Sequence, residues 1–108
     1  MPTDASIEGI SFQLILHAGN AKSLLMEAMY KARDGKIKEA REKMNEAKVE
    51  LNKAHHSQTS LIQSEASGEK YDINILLIHA QDHLMNAMTT KDLVEEIIYL
   101  HEKTSERK

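Results

Sequence analysis

The chain contains no cysteine, which removes disulfides and thiol redox chemistry from consideration. One proline, four glycines and a single phenylalanine leave little material for β-turns or strands. The formal net charge is −3, and no run of Lys or Arg with interleaved aromatics occurs, which argues against a nucleic-acid binder. The longest apolar run is "ILLI" at 75–78, far short of a membrane span. "MPTDASIEGI" lacks a cationic start followed by a continuous apolar stretch, so no signal peptide is visible and a cytoplasmic protein is expected.

What remains is helix-forming material. Ala, Leu, Glu, Lys and Met dominate 108 residues that are 41% hydrophobic and 29% charged. That length supports one domain, 1–108, with a modest core. "RDGK" at 33–36 and "ASGEKYD" at 66–72 place Gly35 and Gly68 where helix C-termini favour a left-handed residue. Asp72 is then expected to cap the next helix. Three long helices follow, at about 6–33, 36–67 and 72–104.

Each helix carries an apolar stripe at steps of three and four. The first runs through Ile7, Ile10, Leu14, His17, Ala21, Leu24, Ala28 and Ala32. The second uses Ile37, Ala40, Met44, Ala47, Leu51, Ala54, Gln58, Leu61 and Glu65, and the third Ile73, Leu77, Ala80, Leu84, Met88 and Ile98. Short connections force consecutive helices to run antiparallel, so an all-α, up-down-up three-helix bundle is expected.

The third helix has more apolar surface than one small bundle uses. Ile75, Ile78, Met85, Leu93 and Leu100 fall on the side away from its first stripe. That second face is expected to meet another copy or a partner. Ile75, Asp82 and Thr89 are seven apart, which puts the Asp82 carboxylate inside a subunit seam.

"HAQDHLM" at 79–85 concentrates polar chemistry on this helix, and three readings compete. His79 and His83, at i and i+4, have the spacing of two metal ligands on one helix face. The zinc-protease pattern, however, needs Glu after the first His, and Ala80 stands there. Both histidines are otherwise ordinary boundary residues, as His101, one of His55 and His56, and a satisfied core His17 are expected to be. The third reading makes His79 a nucleophile. It lies between two apolar stripes, and a neutral imidazole accepts a phosphoryl group without an activating base. Gln81, His83 and Gln58 would supply donors or orient the ring. No Gly-rich phosphate loop, Ser-His-Asp set or paired catalytic carboxylates occur.

"HAQDHLM" at 79–85, "EASG" at 65–68, "AHHSQTSLIQ" at 54–63 and "HAGNAKSLLMEAM" at 17–29 resemble the lactose/cellobiose-type enzyme IIA of the bacterial sugar phosphotransferase system. The resemblance runs from about Ile7 to Lys103. It implies a homotrimer of three-helix bundles, phosphorylated on His79, with Asp82 binding a metal ion shared by three subunits. Phosphate would arrive from the phosphocarrier HPr and leave to a cysteine of enzyme IIB, while enzyme IIC imports the sugar. The sugar would be a β-linked disaccharide of the cellobiose, chitobiose or lactose type. Three carboxylates meeting on an axis repel unless protonated or bridged by a cation, and oxygen ligands favour Mg²⁺ over zinc. The alternative is a helical scaffold module without chemistry, which explains the bundle and the second apolar face but not His79 at a crevice border.

Overall fold

A computed structural model describes residues 6–106; residues 1–5 and 107–108, the ends of the expected single domain, lie outside the described residues. Three helices follow one another, α1 (Ile7–Arg33), α2 (Ile37–Ala66) and α3 (Ile75–Glu106), and no strand occurs among the described residues. They form a rod of 58 × 26 × 20 Å.

The helix ends are set by local chemistry. Ser6 caps α1, its side chain accepting from the Gly9 amide at 3.0 Å. Gly35, at φ +82°, lets the chain turn back: the Gly35 amide donates to the Ala32 carbonyl and Lys36 to the Lys31 carbonyl. Gly68, at φ +110°, repeats this after α2, with Gly68 donating to Glu65 and Glu69 to Ser64. Both expected turn glycines are therefore the left-handed residues that close the preceding helix.

The start of α3 differs from expectation. Asn74, not Asp72, is the cap, its Oδ1 accepting from the Leu77 amide at 2.9 Å. Either side chain is chemically able to cap, and helix 72–104 therefore becomes Ile75–Glu106. Ile73 falls in the linker and is exposed. The Tyr71 hydroxyl, 2.5 Å from that of Ser64, ties the linker to α2.

The core is rich in alanine, and that sets the spacing. One cluster joins Leu14, Ala18, Ala21, Leu51, Ala54, Ala80, Leu84 and Ala87. A second joins Leu25, Ala28, Ala32, Ala40, Met44, Ala47, Val94 and Ile98. Small side chains at facing positions let helix axes approach closely, so burial comes from many short contacts rather than bulky plugs. α1 packs extensively against both neighbours, whereas α2 and α3 meet less.

The expected stripes are right in direction, with single-residue errors of phase. Leu25 rather than Leu24 and Ala87 rather than Met88 are the fully buried members, and Glu65 is exposed. His17 sits at the α1–α2 border instead of in the core. Its Nδ1 is 2.6 Å from Glu50 Oε2 and its Nε2 3.1 Å from Gln13 Oε1, so it is a satisfied, half-buried histidine. Between α1 and α2, a hydrogen bond and the charge of Glu27 hold the half-buried Lys43 ammonium above the ordinary lysine range.

One core position is unfavourable. Ser11 is fully buried, and its hydroxyl has no hydrogen-bond partner among the described residues. A buried hydroxyl without a partner costs about 1–3 kcal/mol, and alanine is also the better helix former. Ser11→Ala should therefore raise Tm by a few degrees in a thermal melt followed by circular dichroism. A lower Tm would show that the hydroxyl is paired in solution.

Candidate functional site

The N-terminal half of α3 carries the candidate residues, and their order along the helix sorts them by direction. At about 100° per residue, side chains four apart share a face and those two apart point to opposite sides. His79 and His83 are accordingly neighbours. Their Nε2 atoms are 3.0 Å apart, with ring centroids separated by 4.4 Å and planes crossing at 86°. A hydrogen bond between two imidazole nitrogens requires one to carry a proton and the other a lone pair, so the rings hold complementary tautomers. His79 is exposed and His83 half-buried, which lets the second ring steady the first without shielding it.

Gln81 points the other way, toward α2. Its Oε1 accepts a hydrogen bond from Gln58 Nε2 at 2.5 Å. Within one chain these two glutamines are thus brought to each other, on the side of α3 opposite His79. Gln81 also lines a groove of about 290 Å³ with Leu61, Ile62, Glu65, Ile73, Leu77 and Ile78. Of the four residues expected to serve phosphoryl chemistry, one chain unites His79 with His83 and, separately, Gln58 with Gln81.

Asp82 is exposed and lies in the second apolar stripe. Ile75 (85% exposed), Ile78, Met85, Leu93 and Leu100 all point outward along α3, as their spacing predicts. Thr89 lies exposed on the same line. Among the described residues, no group of three or more His, Cys, Asp or Glu side chains stands ready to hold a metal ion. A single chain thus places the Asp82 carboxylate on this stripe, with Glu96 fourteen residues further along the same line. His55 and His56 are exposed on α2, apart from the His79 pair.

Sequence reasoning missed the Gln13–His17–Glu50 set because the pairing joins residues 33 apart in the chain. Three-and-four periodicity locates faces and says nothing of which polar groups meet at their borders. No described helix is long and apolar enough to cross a membrane.

Comparison with known proteins places this geometry in context. Residues 9–102 match the family model for the lactose/cellobiose-specific IIA subunit of the phosphotransferase system. The chain is 56% identical over 102 residues to the lichenan-specific phosphotransferase enzyme IIA component of Bacillus subtilis, covering 94% of this chain and 93% of that protein. It is 39% identical over 97 residues to the N,N'-diacetylchitobiose-specific component of Escherichia coli, covering 90% and 84%. The fold superposes on the crystal structure of the cellobiose-specific enzyme IIA of Bacillus anthracis with a TM-score of 0.93 at 56% identity, covering 100% and 97%. It also matches the chitobiose enzyme IIA of Escherichia coli, solved in complex with HPr, with a TM-score of 0.80 at 37% identity, covering 93% and 97%. The chain belongs to the lactose/cellobiose-specific enzyme IIA family of the sugar phosphotransferase system.

Proposed function

We propose that the protein is a phosphocarrier that takes a phosphoryl group from phospho-HPr onto His79 and passes it to a cysteine of enzyme IIB. The transfer serves uptake and phosphorylation of a β-linked disaccharide of the cellobiose, chitobiose or lactose type. The observation that carries this reading is the exposed His79 ring, steadied at one nitrogen by His83 on the border of an unpartnered apolar stripe. The complex of a chitobiose relative with HPr supports the choice of donor.

In the first step the N–P bond of the donor's phosphohistidine breaks as a new N–P bond forms to a lone pair of His79. In the second, the bond moves to the acceptor's sulfur and His79 recovers its lone pair. Little covalent assistance is needed, so the protein's contribution is to position the ring and offer donors to the phosphoryl oxygens.

The exposed stripe of α3 supports a threefold assembly of identical chains, nine helices in all. An apolar line at heptad spacing on a helix already packed on its other side calls for a second layer of burial. Asp82 then stands three times around the axis. Its carboxylate oxygens suit a hard cation, and Asp82 of the three chains would hold a shared Mg²⁺. When bound, the ion would offset most of the charge of carboxylates that would otherwise repel across an apolar seam.

His79→Ala should abolish acid-labile phosphate on incubation with phosphoenolpyruvate, enzyme I and HPr, with helicity unchanged. Residual label mapped to His55, His56 or His83 would overturn the assignment. His83→Asn, which removes the ring beside His79, should slow phosphoryl acceptance about 10²-fold in rapid-quench kinetics. A wild-type rate there would remove His83 from the site.

Asp82→Leu should abolish bound metal yet keep or strengthen the trimer, since an apolar residue suits the seam better than three uncompensated charges. His79 should still accept phosphate, because the two side chains lie on different lines of the helix. Metal analysis, sedimentation and the phosphorylation assay together check this. A monomeric Asp82→Leu protein would mean that the seam lies elsewhere.

A further inference from the structure

We infer that the groove between the middle of α2 and the middle of α3 binds a phosphorylated sugar through Lys48 and Lys91, at a site separate from His79. The choice of sugar rests on the phosphocarrier reading above, in which a phosphorylated disaccharide is the end product of the relay. The groove would let that product load the carrier that helped to make it.

The site is built from two short stripes. Lys48, Leu51, Asn52 and His55 stand at steps of three and four on α2 and so share one face. Met88 and Lys91, three apart on α3, meet that face across a groove of about 400 Å³. α2 and α3 pack less extensively against each other than either does against α1, which leaves room for it. Lys91 lies twelve residues beyond His79, roughly 18 Å along the helix. It is nine residues beyond Asp82, which turns it half way round α3 from the outer stripe. The groove therefore stays clear of the histidine pair and of the face proposed as the subunit seam.

Its chemistry fits an anion carrying hydroxyl groups. Two ammonium groups from facing helices line one cavity, with the His55 imidazole and the Asn52 amide exposed beside them. Phosphate oxygens only accept hydrogen bonds, and lysine meets them as a mobile point charge. The Asn52 amide both donates to and accepts from hydroxyls, while Leu51 and Met88 offer an apolar floor to the C–H face of a sugar ring. The volume exceeds what a lone phosphate needs and suits a small organic molecule.

Two carboxylates compete for the lysines. Lys48 Nζ is 2.8 Å from Glu95 Oε1, and Lys91 Nζ is 3.2 Å from Asp92 Oδ1. Pairs as exposed as these contribute little, so a doubly charged phosphate can draw both ammonium groups from singly charged partners.

Titration calorimetry of the full chain tests this with three probes: cellobiose phosphorylated on a primary hydroxyl, unphosphorylated cellobiose and inorganic phosphate. The phosphorylated sugar should bind once per chain, about 10-fold tighter than inorganic phosphate, and cellobiose alone should not bind. Lys48→Met and Lys91→Met, which keep the apolar stems, should each weaken binding about 10-fold, and the double variant should abolish it. Glu95→Gln frees Lys48 from its competitor and should tighten binding, a gain that loss of a merely structural ion pair would not give. Phosphate uptake by His79 from phospho-HPr, measured on the same samples without the sugar, should be unchanged in these variants. Equal affinity for inorganic phosphate would overturn the inference, as would undiminished affinity in both lysine variants. So would a wild-type protein that takes phosphate on His79 but binds no phosphorylated sugar. Binding that persists in a protein taking no phosphate would keep the groove and sink the phosphocarrier reading instead.

Discussion

Everything in this molecule depends on α3 being apolar in two directions. One side gives Leu77, Ala80, Leu84, Val94 and Ile98 to the bundle core, and the other leaves Ile75, Ile78, Met85, Leu93 and Leu100 in solvent. A helix has only 360° to divide, so polar residues on α3 are confined to the borders between these stripes or stand as isolated interruptions within them. His79 and Gln81 occupy opposite borders, and Asp82 interrupts the outer stripe. The roles proposed for His79 and Asp82 follow from those angles before any chemistry is considered.

That arithmetic explains how one short block can serve several of the proposed roles. Four positions bring His79 and His83 together, two send Gln81 away, and three swing Asp82 from the border into the apolar line. A loop of the same composition would not hold these directions, because each would drift with the backbone. Long α-helices packed through an alanine-rich core fix them instead. Close helix approach at Ala54 and Ala80 keeps α2 and α3 near enough for Gln58 to reach Gln81.

Much of this was legible in the sequence, for identifiable reasons. Gly35 and Gly68 announced the turns because helix closure at those points needs a left-handed residue. The outer stripe of α3 was legible because Ile and Leu at heptad steps have no other use on a helix whose inner face is already apolar. The misplaced core members, Leu24 for Leu25 and His17 for Ala18, differ by one residue, since steps of three and four tolerate a shift of about 100° at any single position. Asn74 displaced Asp72 as cap because both residue types accept from a helix N-terminus and only the tertiary path of the linker chooses between them. The Gln58–Gln81 bond joins residues 23 apart, and no local pattern reports such a meeting. Gln58 and Gln81 were both legible as candidates, but their pairing was not.

Exposure of His79 also suits the proposed carrier role energetically. A group that must both accept and surrender phosphate gains nothing from a site that binds the phosphorylated state deeply, because stabilisation spent on the resting phosphohistidine raises the barrier to its departure. Few donors, placed to act as charge develops on the transferring group, serve both directions better. His79 meets that requirement within its own chain: exposed, and held by one neighbouring ring.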